Sequence, residues 1–155
     1  MKKVLITGAT GGIGQALCVE FAKNGYGVIL QYGSNEEKAA ELCHEIESYG
    51  VSAEMIKADF TVEQEVVSLS EKAGEVDVLI NNAGIAYQSI FQLADEKKVK
   101  NLFDINLFSA MTLTKEILPS MIKNQRDLSH ILIQVSRYSS TFSLPSAILP
   151  NGSYS

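Results

Sequence analysis

A chain of 155 residues, 46% apolar and 20% charged, is long enough for one compact domain and too sparingly charged to remain disordered. Its 13 basic and 18 acidic residues leave a net charge of −5, with no run of Lys and Arg that could track a nucleic-acid backbone, so nucleic acid is not an expected partner. No apolar run approaches the roughly 20 residues that a membrane-spanning helix requires, which excludes a transmembrane reading.

Val4-Leu5-Ile6 follows two lysines, but Thr7-Gly8 interrupts the run before it can serve as a signal sequence. The segment Lys3 to Thr7 reads instead as a buried strand opening a cytoplasmic protein. Ile13, Leu17 and Phe21 then recur at helical spacing and predict the first helix. Gly27 to Tyr32 is a second apolar strand, followed by a helix with Ala39, Leu42, Cys43 and Ile46 on one face. Ala53 to Ala58 is the third strand. Thr61-Val62-Glu63-Gln64 has the form of a capping box in front of a third helix with Val66, Leu69 and Ala73. Val76 to Ile80 is a fourth strand, and Val99, Leu102, Phe103, Leu107, Ala110, Ile117 and Met121 mark one long helix whose last turns Pro119 should kink. Ile131 to Val135 is the fifth strand, after which periodicity gives way to a Ser- and Pro-containing tail.

Strands alternating with helices predict an α/β fold, a doubly wound parallel sheet of Rossmann type covered on both faces. Ligands of such a sheet bind beyond the carboxyl ends of the strands. Cys18 and Cys43 form no CxxC and read as core thiols, while His44 and His130 form no metal-ligating constellation. The clusters Glu36-Glu37-Lys38 and Glu96-Lys97-Lys98 read as solvated helix starts.

The segment Thr7-Gly8-Ala9-Thr10-Gly11-Gly12-Ile13-Gly14 joins the first strand to the first helix. Glycines there allow a tight turn and let backbone N–H groups approach a pyrophosphate. No Gly-Lys-Ser or Gly-Lys-Thr follows, which disfavours a nucleoside-triphosphate loop. At the end of the second strand, Gln31-Tyr32-Gly33-Ser34-Asn35 contains no acid to bond a ribose 2′-hydroxyl. Ser34, Asn35 and Lys38 are the candidate partners of a 2′-phosphate that a carboxylate would repel, so NADP(H) is expected over NAD(H). The alternative for this segment is an ordinary solvated turn.

Together with this glycine pattern, Asn81-Asn82-Ala83-Gly84 at the end of the fourth strand resembles the short-chain dehydrogenase/reductase family, and Lys57-Ala58-Asp59 with the loop after the second strand is most similar to its 3-oxoacyl-carrier-protein reductase and related sugar-alcohol branches. The resemblance implies cofactor-binding roles for Thr7, Gly8, Thr10, Gly12, Ile13, Gly14, Ser34, Asn35, Asp59, Asn82, Ala83 and Gly84. It sets Asp59 at the adenine, although Asp59 could equally just precede the Thr61 cap. It sets Asn106 at a local helix distortion and a proton relay, whereas the residues alone allow a core Asn bonded to neighbouring backbone.

The family's chemistry uses a Ser after the fifth strand and a Tyr-x-x-x-Lys on the following helix. Ser136 matches the Ser by position, with Ser139 and Ser140 as competitors, and Arg137 stands where many relatives place a second Ser. Tyr154-Ser155 resembles the opening of the Tyr motif, at a longer step from Ser136 than the family's usual one; its Lys would fall beyond Ser155. The implied organisation is a dinucleotide-binding domain over residues 1–136 and, over 137–155, a loop leading to a catalytic helix that the chain does not include. The implied activity is interconversion of a carbonyl and an alcohol, with a small-molecule carbonyl or acyl thioester as substrate, no metal, and homo-oligomers for the full family member. The alternative is a dinucleotide-binding module, or truncated product, without turnover.

Overall fold

The computed structural model describes residues 1–123, 131–133 and 142–143. The chain runs β1 (Lys3–Ile6), α1 (Gly12–Lys23), β2 (Gly27–Tyr32), α2 (Glu36–Glu47), β3 (Ala53–Lys57), α3 (Glu63–Ala73) and β4 (Val78–Asn81). It continues through β5 (Ser89–Ile90), a 3₁₀ turn (Phe91–Leu93), α4 (Glu96–Phe103), a π-helical turn (Asp104–Phe108), α5 (Ser109–Lys123), β6 (Ile131–Ile133) and β7 (Phe142–Ser143). The main sheet is parallel throughout, in the order β3-β2-β1-β4-β6, so β6 is an outer strand among the described residues. From β1 the chain moves outward to β2 and β3, then returns to the other side of β1 for β4 and β6. The reversal opens a crevice beyond the ends of β1 and β4, the usual ligand position of this architecture.

Side-chain alternation assigns each strand residue to one of two cores. Val4, Ile6, Val28, Leu30, Val78 and Ile80 pack with Cys18, Ala22, Ala39, Leu42 and Ile46, which belong to α1 and α2. Leu5, Ile29, Ile56 and Leu79 point the other way, against Val66, Leu69, Leu113, Ile117 and Met121 of α3 and α5. Both faces of β1, β2 and β4 are covered, which is why these strands read as largely apolar runs in the sequence, whereas β3 carries the exposed Glu54 and Lys57. Cys18 is fully buried in the first core, whereas Cys43 is only half-buried against it.

Several elements differ from the sequence expectation. The buried stripe of α1 is Gly14, Cys18 and Ala22, while Ile13 is 59% exposed. Small residues let this helix lie close to the sheet, and a search for large apolar side chains overlooks them. Thr61 does not cap α3: Val62 holds the cap position without a side-chain bond, and the Thr61 hydroxyl donates to Asp59 instead. The expected single helix is divided by the π turn, so Phe103 and Leu107 are exposed and Leu113, not they, is buried. α5 continues past Pro119 to Lys123. β4 begins at Val78 and extends to Asn81. The small parallel pair β5–β7 was not foreseen. The charged clusters do start α2 and α4, and their caps are Asn35 and Asp95.

Candidate functional site

The site is assembled from the segments that leave β1, β2, β3 and β4. After β1 the chain turns at Gly8, whose φ is +63° and whose missing Cβ would lie 2.7 Å from Ala83 Cα. Only glycine combines that backbone conformation with that approach. Gly14 is equally constrained, since a Cβ there would sit 2.3 Å from the Gly8 carbonyl oxygen. Gly12 differs: a Cβ there would meet nothing within 4 Å. The protein's own packing therefore does not require glycine at position 12, and the space beside it is open.

Gly12 is the first residue of α1, and Gly11, at the cap position, contributes no side-chain acceptor. The first-turn N–H groups of a helix lack partners within the helix and carry its positive dipole end. Here those of Gly12, Ile13 and Gly14 have no protein acceptor among the described residues. That donor set, next to an open glycine, fits a phosphate-bearing ligand.

Thr7 fastens this loop to the segment after β4. Its backbone N–H donates to the Ile80 carbonyl at 3.0 Å. Its hydroxyl oxygen accepts from the backbone N–H of Asn82 at 3.0 Å and of Ala83 at 2.9 Å. Asn82 returns the contact, its amide donating to the Thr7 and Gly8 carbonyls at 3.0 and 3.2 Å. Asn82 and Ala83 thus meet the glycine loop through defined bonds and through the close approach at Gly8.

Gln31, 3% exposed at the end of β2, is the polar residue that sequence reasoning missed. Its carbonyl oxygen accepts from Gly8 N–H and its amide donates to the Ala58 carbonyl, both at 2.8 Å. One side chain therefore links the ends of β1, β2 and β3. A polar residue inside the apolar run Gly27 to Tyr32 was its only signal, the same signal that singled out Asn106.

A cleft of about 670 Å³ runs from Gly8 and Gln31 past Gly33 and Ser34 to Lys57, Asp59 and Glu65, with Ala83, Gly84 and Ile85 on its other wall. Ser34 lines this cleft; Asn35 is spent as the cap of α2, its side-chain oxygen accepting from Lys38 N–H at 3.0 Å. Asp59 accepts from the Thr61 hydroxyl at 2.7 Å and the Thr61 N–H at 2.9 Å. These two bonds, the hydroxyl's being the stronger influence, hold the Asp59 carboxyl below its ordinary value. Burial, and secondarily Cys43, pushes the Cys18 thiol up to about 12, which marks it as an inert core residue.

Asn106 lies in the π turn. Its side-chain oxygen accepts from Ile85 N–H and its amide donates to the Ile85 carbonyl, both at 2.8 Å. The distortion therefore presents Asn106 to the segment that follows Gly84, pairing it with neighbouring backbone. Ser136, Ser139, Ser140, Arg137, His130 and Tyr154 lie outside the described residues. Among the described residues no group of His, Cys, Asp and Glu could hold a metal ion, and no helix is long and apolar enough to cross a membrane.

A family model for short chain dehydrogenase matches residues 2–142. The chain belongs to the short chain dehydrogenase family. Among curated relatives it is 32% identical over 126 residues to the uncharacterized oxidoreductase YmfI of Bacillus subtilis, an alignment covering 80% of this chain and 52% of that protein. It is 30% identical over 128 residues to the 3-oxoacyl-(acyl-carrier-protein) reductase FabG of Staphylococcus epidermidis, with the same 80% and 52% coverage. A metagenomic short-chain oxidoreductase solved in complex with NADP matches with a TM-score of 0.77 at 26% identity, covering 81% of this chain and 58% of the other. The chain thus spans about half the length of the curated relatives it matches. What it shares with other short chain dehydrogenases is the half that carries the glycine loop and the Asn81 to Gly84 segment.

Proposed function

We propose that this chain provides the NADP(H)-binding part of a short-chain reductase that interconverts a carbonyl and an alcohol. The observation that carries the reading is the open Gly12 beside uncapped first-turn N–H groups of α1, at the switch point of the sheet. Gly8 and Gly14 are fixed by the protein's own contacts, whereas Gly12 leaves room for something that is not protein. This division matches the physical roles of three glycines in a dinucleotide loop: tight turn, ligand approach and helix packing.

When bound, the nicotinamide cofactor supplies or accepts the hydride. The N–H groups of Gly12, Ile13 and Gly14 hold the pyrophosphate, with Thr10 in the same loop. Thr7 fixes the distance between that loop and Asn82, Ala83 and Gly84, which form the opposite wall. Ser34 meets the adenosine ribose and Asp59 the adenine, with Asn35 acting on both indirectly by capping the helix that begins there. Asn106 sets the segment after Gly84 at the carbonyl end. Ser136 and Tyr154 are the candidates for binding the carbonyl oxygen and for passing it a proton. NADP(H) is preferred over NAD(H) because the loop after β2 is neutral, a reading supported by the NADP held by the matched metagenomic oxidoreductase. The FabG relative supports a 3-oxoacyl thioester as the substrate class.

The test is NADPH oxidation at 340 nm with acetoacetyl thioester, run beside NADPH binding to the same folded chain. Binding with turnover supports the whole proposal. Binding without turnover leaves the cofactor assignment standing and favours a dinucleotide-binding module without turnover for this chain. Folded protein that does neither overturns both.

A further inference from the structure

The cation that faces the cleft is not the one the sequence suggested. Lys38 lies in the first turn of α2, where its backbone N–H serves the Asn35 cap, and it does not line the cleft. Lys57 does. The β2–β3 register sets Lys57 opposite Tyr32, the last residue of β2 before the chain turns through Gly33 and Ser34. In a dinucleotide fold that turn is where the adenosine ribose and its 2′ substituent are read. Lys57 is exposed, shares the cleft with Gly33 and Ser34, and forms no ion pair among the described residues. The nearby carboxylates are otherwise engaged: Asp59 accepts from Thr61, and Glu65 accepts from the backbone N–H of Asp59 at 2.7 Å. An uncommitted ammonium beside a neutral, hydroxyl-bearing turn suits a phosphate monoester, whose two negative charges reward a charge-assisted bond.

We infer that Lys57 sets the preference of this cleft for a 2′-phosphorylated ribose, with the Ser34 hydroxyl as its neighbouring donor. The inference rests on the dinucleotide reading above and adds the residue responsible for the choice between the two cofactors. Because Lys57 is exposed at a strand end, its replacement tests binding without dismantling a core.

The experiment is calorimetric titration of the full chain with adenosine 2′,5′-bisphosphate and with adenosine 5′-monophosphate, for the wild type, Lys57→Gln and Lys38→Gln. The wild type should prefer the bisphosphate, and the preference should shrink as salt is added. Lys57→Gln should weaken the bisphosphate about 10-fold and leave the monophosphate within about twofold. Lys38→Gln should change neither. A Lys57→Gln protein that keeps its preference, or that loses both ligands equally, overturns the inference, as does transfer of the effect to Lys38→Gln. Folded wild type that binds neither probe overturns the dinucleotide reading and the inference with it. Wild type that binds both probes equally overturns the inference alone.

Discussion

Replacing Gln31 by Leu should be among the most damaging single polar changes in this chain. The side chain is 3% exposed and makes two bonds of 2.8 Å, one from Gly8 N–H and one to the Ala58 carbonyl. Leucine matches its bulk but satisfies neither group, so the half-buried Gly8 N–H and the buried Ala58 carbonyl both lose their partner. Each unsatisfied group costs about 1 to 3 kcal/mol, which places the total at about 2 to 6 kcal/mol against a typical domain stability of about 5 to 15 kcal/mol. Gln31→Glu is the informative companion: its carboxylate can still accept from Gly8 N–H but cannot donate to Ala58. Urea unfolding followed by far-UV circular dichroism measures both. Leu should lower the midpoint strongly, with Glu at least as harmful because a buried charge is added. A Gln31→Leu protein within about 0.5 kcal/mol of wild type would refute the claim that Gln31 fastens these three strand ends.

Three further outcomes follow from the same contacts. Gly8→Ala forces a side chain onto a φ of +63° and to within 2.7 Å of Ala83 Cα, and should cost about 2 to 4 kcal/mol in the same unfolding assay. The Cys18 thiol, at about 12 in the fold against 9.0 when exposed, keeps its stabilising contribution below pH 9 and loses it as pH rises toward 12. Stability should therefore fall over that alkaline window, and less steeply in Cys18→Ala once its own packing loss is subtracted. Asp59 behaves in the opposite sense: bonds from Thr61 depress its carboxyl, so its contribution is present above 3.8 and is lost as pH falls through its lower folded value. Thr61→Val, which removes the hydroxyl bond, should move the Asp59 titration measured by carboxyl NMR upward.

The sheet was legible because strands buried on both faces are written as apolar runs, and β2 was read at its observed limits. The helices were legible as helices but not always in phase. In α1 the buried stripe is made of Gly14, Cys18 and Ala22, residues too small to stand out, while Ile13 is large, apolar and exposed. Between α4 and α5 the π turn lengthens one turn and rotates every later residue about the axis. A fixed 3.6 period carried through it assigns Phe103 and Leu107 to a core they do not join and misses Leu113. The glycine loop and the Asn81 to Gly84 segment were legible as motifs, but their mutual attachment through Thr7 was not, since it depends on contacts across more than 70 positions. The linking role of Gln31, and the place of Lys57 beside the end of β2, were not legible for a related reason. Each acts through a neighbouring strand, and strand register is not written in local composition.

The most direct measurement is titration of the full chain with NADPH, followed by its fluorescence, for the wild type and for Gly12→Ala. A methyl at position 12 meets nothing in the protein within 4 Å, so thermal stability should be unchanged. If the pyrophosphate lies on the first turn of α1, that methyl occupies its space, and NADPH should bind the wild type saturably and Gly12→Ala at least about 10-fold more weakly. A folded wild type that does not bind NADPH, or a Gly12→Ala variant that binds it equally well, would contradict the assignment of this crevice as a dinucleotide site.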